Sequence, residues 1–371
     1  MDFNFSREQE MLRKSAAEFL KKEYPFETVK ELEDSKEGYS SRAWKKAAKL
    51  EWMGICFPEE YGGLGSPFSD LLIILEEMGK QAVPGPFFST VVECGLLIME
   101  GGTEDQKSNL LEQIAMGKLI MSLARYEANA DYDVESISVV AEPHEKGICL
   151  NGTKLFANDA NIANKLIVLA MAESGPTCFI VDSNIEGIQI SKMPSIAHEN
   201  SCEVVFENVV ISLENQLGET GKGRELFDRI FQKMVIAKCA EMIGGCATAL
   251  EITADYAKTR VQYGAPIGAN QAIQHYLADM KLNYDACINF FYTTAWKIDQ
   301  AEDASKEVSA LKAMLNQSYN FITDRAVQIF GGVGTTREFN IGHFFQHAKA
   351  SELTLGDTEY HYERVAQALG L

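Results

Sequence analysis

The stretch YAKTRVQYGAPIGANQAIQHYLADM, residues 256–280, falls between two long runs of apolar residues at helical spacing, 226–256 before it and 270–301 after it. Two more such runs follow, 305–330 and 340–352, with short connections. Four helices joined this closely predict a bundle. Working back from the bundle, the turn GETGKG (218–223) closes a region of different texture. From about 119 to 216 the chain breaks into short β-rich runs, ISVVAE, GICLNGTKLF, KLIVLAMA, TCFIVD, GIQISKM and CEVVFENVVI, separated by turns. These predict a small antiparallel β domain. Up to residue 118 the chain reads as helices again. Ser6 and Gln9 fit a capping box ahead of the stripe Met11, Ala16, Phe19 and Leu20. The segment FPEEYGGLGSP (57–67) is a glycine-rich turn, and Ser69 opens an apolar helix carrying Leu71, Leu72, Leu75 and Met78. The expected class is α+β in three domains: an N-terminal helical domain over 1–118, a central antiparallel β domain over 119–216 and a C-terminal four-helix bundle over 217–371.

A chain of 371 residues buries a large core and is long enough for two or three modules. Apolar residues make up 46% of it, but no run reaches the roughly 18 to 20 that a bilayer span needs, so membrane insertion is excluded. The opening MDFNFSREQEMLRK has no basic n-region and no apolar h-region, which reads as a cytoplasmic protein. Eight scattered cysteines without a CxxC pair fit free thiols in a reducing compartment. A net charge of −19 repels polyanions; nucleic-acid binding would need a basic stripe, and none stands out. His343 and His347 sit four apart, but without the HExxH glutamate they read as packing or surface residues rather than a metal pair. There is no Walker loop, and no GxGxxG follows a strand.

The 256–280 stretch places an arginine, an aromatic–glycine pair and a glutamine at fixed spacing. It resembles a signature of the acyl-CoA dehydrogenase family, and QIFGGVGTTREFNIGHFFQHAK (328–349) resembles that family's second C-terminal signature. Both occur in the family's order, and the helical, β, helical organisation matches over essentially the whole chain. The resemblance implies FAD as cofactor, an acyl-CoA substrate, α,β-dehydrogenation of the thioester and electron-transfer flavoprotein as acceptor. It also implies a tetramer, in which C-terminal elements reach across a dimer interface to the neighbour's flavin. Residue chemistry agrees: Arg260 offers a planar, permanently charged fork for a pyrophosphate. Gln271 and Gln328 supply amides, and Gly331 and Gly332 let backbone N–H groups come close. With Tyr263, these six residues are assigned to a shared flavin.

In many members the catalytic base is a glutamate at the position that holds Leu355 here, in ELTLGDTEYH (352–361). A second group carries it where this chain has Met234, followed by Val235 in place of a frequent arginine. The family's TEP-x-x-GSD-like stretch, which lines flavin and substrate, reads YEANADYD (126–133), with Tyr126 and Tyr132 replacing small hydroxyl residues. The later NGTKLFAND (151–159) matches a second β-domain segment, with Phe156 and Asn158 beside the flavin. Groups that would reach a neighbour's flavin are present, whereas those acting on this subunit's own substrate are largely absent. The resemblance is nearest to small subunits of heteromeric, pimeloyl-CoA dehydrogenase-like enzymes, in which a homologous partner subunit in a heterotetramer supplies the base. Two alternatives stay open: a self-sufficient homotetrameric dehydrogenase whose base has moved to Glu93 or Glu241, and a non-catalytic scaffold. A carboxylate at Glu93, in an apolar helical stretch, would have a raised pKa.

Overall fold

A computed structural model describes residues 5–129, 132 and 137–371. Helices come first: α1 (Arg7–Glu23), α2 (Phe26–Glu33), α3 (Ser41–Lys49), α4 (Phe68–Gln81), a π-helix (Phe88–Gly95), α5 (Leu96–Gly101) and α6 (Glu104–Ala115). Strands follow: β1 (Met121–Ala124), β2 (Val140–His144), β3 (Gly147–Asn158), β4 (Lys165–Ala172), β5 (Gly175–Asp182), β6 (Ile188–Lys192), β7 (Ser201–Ile211) and β8 (Gln216–Leu217). The chain closes with α7 (Gly223–Thr259), α8 (Gln271–Asp299), α9 (Ser305–Phe330), α10 (Ile341–Leu353) and α11 (Thr358–Ala368). Between α7 and α8 lies a two-stranded hairpin, β9 (Val261–Gln262) and β10 (Ala265–Pro266). This is the expected α+β order. Among the helices, two depart from the reading: the last helix, α11, went unread, and Ser69 does not open α4. That helix starts at Phe68, because Pro67 at φ −54° and ψ 151° already sets the extended entry.

The chain divides into two compact units, of which the first comprises Met1–Val29, Pro67–Val83 and Val235–Leu371. Here α1 starts on the expected capping box, with Ser6 Oγ accepting from Gln9 N at 3.2 Å and Gln9 Oε1 accepting from Ser6 N at 3.2 Å. Gln9 Nε2 then donates to Asp70 at 2.9 Å, tying α1 to α4. A buried ionic knot continues the seam: Arg13 pairs with Glu76 at 2.8 Å, Lys80 with Glu77 at 2.6 Å, and the Tyr292 hydroxyl donates to Glu76. Glu76 is 2% exposed, so its charge is stabilised only because these donors surround it. The crossing of α4 over α7 depends on glycine. A Cβ on Gly79 would lie 2.1 Å from the Glu241 carbonyl oxygen, and one on Gly244 would lie 2.1 Å from that of Glu76. The two backbones are in direct contact.

The second unit comprises Lys30–Ser66 and Pro84–Met234. Its main sheet runs β6-β7-β3-β2-β4-β5-β8, with β1 beside β4. The sheet is antiparallel except that β1 pairs with β4 in parallel, Met121 opposite Lys165, and β2 touches β4 in parallel at Val140 and Met171. The purely antiparallel expectation is corrected there, because β1 had not been recognised as a strand. Leu166 to Ala170 on β4 are all buried, which is why KLIVLAMA reads as a continuous apolar run instead of alternating. In β3 the register with β7 shifts between Lys154 and Ala157, and Phe156 at φ +56° turns outward, 48% exposed. The π-helix is fastened to this sheet by Thr90, whose Oγ1 donates to the Met121 carbonyl and accepts its N–H, both at 3.0 Å.

Because no side chain fits at the α4–α7 crossing, Gly79→Ala and Gly244→Ala are each expected to cost about 1–3 kcal/mol of stability. Thermal unfolding of the two variants checks this, and unchanged midpoints would show that the helices separate without cost.

Candidate functional site

In the first unit, helix α7 ends at Thr259 and the exposed Arg260 follows, its N–H bonded to the Tyr256 carbonyl at 2.8 Å. Tyr263 and Gly264 form the hairpin turn at φ +52° and +85°, the sign pattern of a type I′ turn. That turn leaves Tyr263 entirely in solvent. Gln271 is the exposed first residue of α8. Gln328 lies exposed on the last turn of α9, and Gly331 and Gly332 follow it at the C-terminal end. The ends of α7 and α9 are joined by aromatic packing: Tyr256 stacks on Phe330 at 4.0 Å, with Phe339 edge-on to both. Phe330 directly precedes Gly331, so the stack sets the Arg260 segment against the glycine turn. None of these three rings was singled out in the sequence, although Tyr256 opens the first signature and Phe330 and Phe339 lie within the second.

These residues fit a dinucleotide. Open space surrounds both glycines, since a Cβ on Gly331 or Gly332 would meet nothing within 4 Å, and Gly331 has φ +67°. Their backbone N–H groups, the Arg260 fork and two exposed amides make a donor set suited to phosphate and ribose oxygens. In the second unit, β3 carries Phe156 and Asn158, and Tyr126 bridges to it, its carbonyl accepting from Leu155 N at 2.8 Å. Ser122 Oγ donates to the Asn158 carbonyl at 2.6 Å. Tyr132 packs edge-on to Tyr126 at 6.2 Å, while Ala130, Asp131 and Asp133 of the same stretch lie outside the described residues.

Under this wall lies a buried charge cluster that sequence reasoning missed. Lys154, fully buried, donates to Glu127 at 2.6 Å and to the Arg125 carbonyl at 3.1 Å. Glu127 also accepts from Ser138 N at 2.6 Å and Val139 N at 3.0 Å. Burial works to raise its pKa, but these donors outweigh it and hold the carboxylate below its ordinary range. Arg125, 8% exposed, lies over the rings of Tyr126, Phe227 and Phe231 and donates to the Tyr132 carbonyl at 2.7 Å. Lysine inside a β run reads as an outward-facing residue, and only the fold reveals it as the partner of Glu127.

Leu355 is 2% exposed and sits at φ +59°, followed by Gly356 at φ +112°. A Cβ on Gly356 would come within 2.5 Å of the Tyr360 ring and 2.7 Å of His361 Nε2. The turn is clamped from two sides. His361 Nε2 donates to the Leu355 carbonyl at 3.1 Å; burial, then the nearby Lys312, lowers its pKa to about 3, so the ring is neutral. Lys312 Nζ donates to the carbonyls of Gly356 (2.9 Å), Ser351 (3.1 Å) and Glu352 (3.2 Å) and to Asn316 (2.7 Å). Met234 and Val235 are completely buried. Glu241 is half-buried and pairs with Lys238 at 3.0 Å. Glu93 is half-buried on the π-helix, a helix form that often marks functional sites. His343 lies beside His347, with ring centroids 4.3 Å apart and planes tilted by 46°.

Family models match the chain in three consecutive pieces. They are the N-terminal domain of acyl-CoA dehydrogenase over residues 6–118, the middle domain over 122–209 and the C-terminal domain over 221–370. The chain belongs to the acyl-CoA dehydrogenase family. A short-chain-specific acyl-CoA dehydrogenase of Megasphaera elsdenii is 31% identical, with 97% of each chain covered. An L-prolyl-[peptidyl-carrier protein] dehydrogenase of a Serratia species is 28% identical over all of this chain and 99% of its own. The FAD complex of PigA superposes with a TM-score of 0.92 at 27% identity, covering both chains completely. FAD is therefore the cofactor of this acyl-CoA dehydrogenase family flavoprotein, an oxidoreductase by its relatives. Among the described residues, no helix is long and apolar enough to cross a membrane.

The π-helix is also tied to the β3 end through Asp159, which accepts from Ser89 Oγ at 2.7 Å and from Asn200 Nδ2 at 3.5 Å. Burial raises its pKa to about 6 against the pull of those two donors. The folded protein therefore binds the proton more tightly than the unfolded chain, and stability falls as pH rises from about 4 to about 6, by on the order of 2–3 kcal/mol. Asp159→Asn is expected to flatten that slope in denaturant titrations across this window. A slope that persists unchanged would mean that Asp159 is ionised throughout.

Proposed function

We propose that this chain is the FAD-completing subunit of a heteromeric acyl-CoA dehydrogenase, of the pimeloyl-CoA dehydrogenase-like kind, whose partner subunit carries the catalytic base. The observation that carries this reading is Leu355. The turn that would present a base keeps its strained backbone and its clamp, yet its side chain is apolar and buried. Removing the α-proton of a thioester needs a positioned base, typically worth ~10²–10⁴-fold. Met234 at the second base position cannot exchange a proton either, and in this reading a partner's carboxylate does so.

Each remaining group has a task it can perform without a base. Arg260 would hold the pyrophosphate with its guanidinium fork, Gln271 and Gln328 would orient the dinucleotide, and Gly331 and Gly332 would let it approach the backbone. Tyr263 stands ready to pack against a neighbour, and Tyr126, Phe156 and Asn158 form the β-domain wall. FAD held there would supply the acceptor for the β-hydrogen of the thioester, with electron-transfer flavoprotein as the onward acceptor. The acyl group arrives as a thioester of coenzyme A, whereas the Serratia relative is named for a substrate held on a peptidyl-carrier protein. Val235 in place of the frequent arginine removes one contact expected for coenzyme A.

A second reading has one observation in its favour: Glu93 stands on a π-helix pinned at Ser89 and Thr90, a rigid mount for a relocated base. Glu93→Gln separates the two. Turnover lost in an isolated homomer that keeps its flavin would overturn the heteromer. Stoichiometry of the complex purified from its host is the direct test, with one FAD per two unlike chains expected and one per identical chain contradicting it. Within that complex, Arg260→Ala is expected to weaken FAD retention roughly ten- to a hundredfold, read from absorbance after dialysis. Full retention would remove Arg260 from the flavin site.

A further inference from the structure

Arg125 directly follows strand β1 in the second unit and is buried under the β-domain wall. Its Nη2 donates to the Tyr132 carbonyl at 2.7 Å, whereas its Nη1 is buried with no hydrogen-bond partner among the described residues. The acid nearest to it in sequence, Glu127, is turned away to Lys154 Nζ and to the N–H groups of Ser138 and Val139. Lys154 in turn bonds only the Arg125 carbonyl, so the cluster sets two cations against one carboxylate. Three aromatic rings hold the guanidinium in position without neutralising it: its central carbon lies 5.1 Å from the centroid of Tyr126, 5.2 Å from that of Phe227 and 5.8 Å from that of Phe231. Burying a cation without an anion costs free energy that an apolar side chain of the same length would not. A charge kept there with one nitrogen open calls for an anion that is present only part of the time.

We infer that Arg125 is the fixed counter-charge for reduced flavin: it raises the reduction potential of FAD held against this wall and keeps the reduced ring system anionic. The inference rests on the proposed flavin site, and within it on the wall of Tyr126, Phe156 and Asn158. The guanidinium lies over the Tyr126 ring, and Tyr126 bridges to Leu155, whose neighbour Phe156 turns outward. Hydride transfer to a neutral flavin brings two electrons and one proton, so the ring system gains one unit of negative charge. The α-proton of the thioester goes to the base and does not cancel that charge. A guanidinium is permanently charged and gives up no proton to the flavin, so Arg125 stabilises the anion by its field alone. With Phe227 and Phe231 excluding water on the other side, the field is damped less than it would be at the surface. Arg125 is therefore a tuning residue that takes no part in bond making.

The test uses the flavin-loaded assembly purified from its host, with the midpoint potential of the bound FAD read by equilibration against a redox dye. Arg125→Met removes the charge at similar length, and Arg125→Lys keeps it. Arg125→Met is expected to shift the ratio of reduced to oxidised flavin at least about tenfold toward the oxidised form, about 30 mV for a two-electron couple, while Arg125→Lys stays close to the parent. An unchanged potential in Arg125→Met, or equal shifts in both variants, overturns the inference. The parent assembly gives a second measure that does not depend on the variants folding. On the acid side of neutrality its potential is expected to change by about 30 mV per pH unit, one proton for two electrons. A slope twice as steep there means a neutral reduced flavin and overturns the inference. Arg125→Met that keeps the potential but loses affinity only for acyl-CoAs with a terminal carboxylate makes Arg125 a substrate contact and overturns it as well. Phe156→Ala separates this failure from that of the flavin site: if it loosens FAD while the potential ignores Arg125, the tuning inference alone fails. If FAD stays as tightly held in Phe156→Ala as in the parent, the wall is not part of the flavin site and both readings of it fail.

Discussion

Lys312 holds the C-terminal third of the chain in place. Its buried ammonium is the common donor for the last carbonyls of α10 and for the carbonyl of Gly356, while Asn316 accepts one turn along α9. A helix end leaves its last carbonyls without backbone partners, and burying them unpaired would cost free energy for each one. One lysine meets several at once, and in doing so fixes where α10 stops and where the next turn begins. Burial lowers its pKa to about 8, so it sits close to losing its charge, yet the acceptors around it favour the ammonium. Because the folded pKa lies below the free value, stability rises as pH climbs from about 8 toward the free lysine value.

How much of this was legible follows from the range of the interactions. Helices α8 and α9 and strand β4 were read within a residue or two, because periodicity and cap residues are local signals. The capping box at Ser6 and Gln9 was read in full for the same reason. What went unseen is non-local. The parallel β1 is a four-residue strand defined by its partner. The stack of Tyr256 on Phe330 joins residues far apart in the chain, and the pairing of Glu127 with Lys154 needs the sheet to bring them together.

Two buried ionic clusters, one in each unit, illustrate a shared constraint. Glu127 with Lys154 lies almost out of solvent, and Glu76 is buried beneath the half-buried Arg13 and Lys80. Such pairs add little net stability against an apolar alternative, but losing one partner strands the other and typically costs about 3–5 kcal/mol. Their value is positional. Glu127 anchors the backbone at Ser138 and Val139 as well as Lys154, so the cluster fixes two edges of the wall that carries Tyr126, Phe156 and Asn158.

The Leu355 turn carries the same logic to the proposed chemistry. Leucine at φ +59° is strained, and the next residue must be glycine because Tyr360 and His361 occupy the space a Cβ would need. If the turn served only to connect α10 and α11, relaxation to an unstrained linker would be cheap. Instead a neutral histidine and a buried lysine spend hydrogen bonds on holding its carbonyls. Strain kept in place by so many contacts implies that the shape itself is required by something that packs against it. Under the proposed reading, that something is a homologous subunit, which would pack against the contour of this turn and supply the carboxylate that Leu355 lacks.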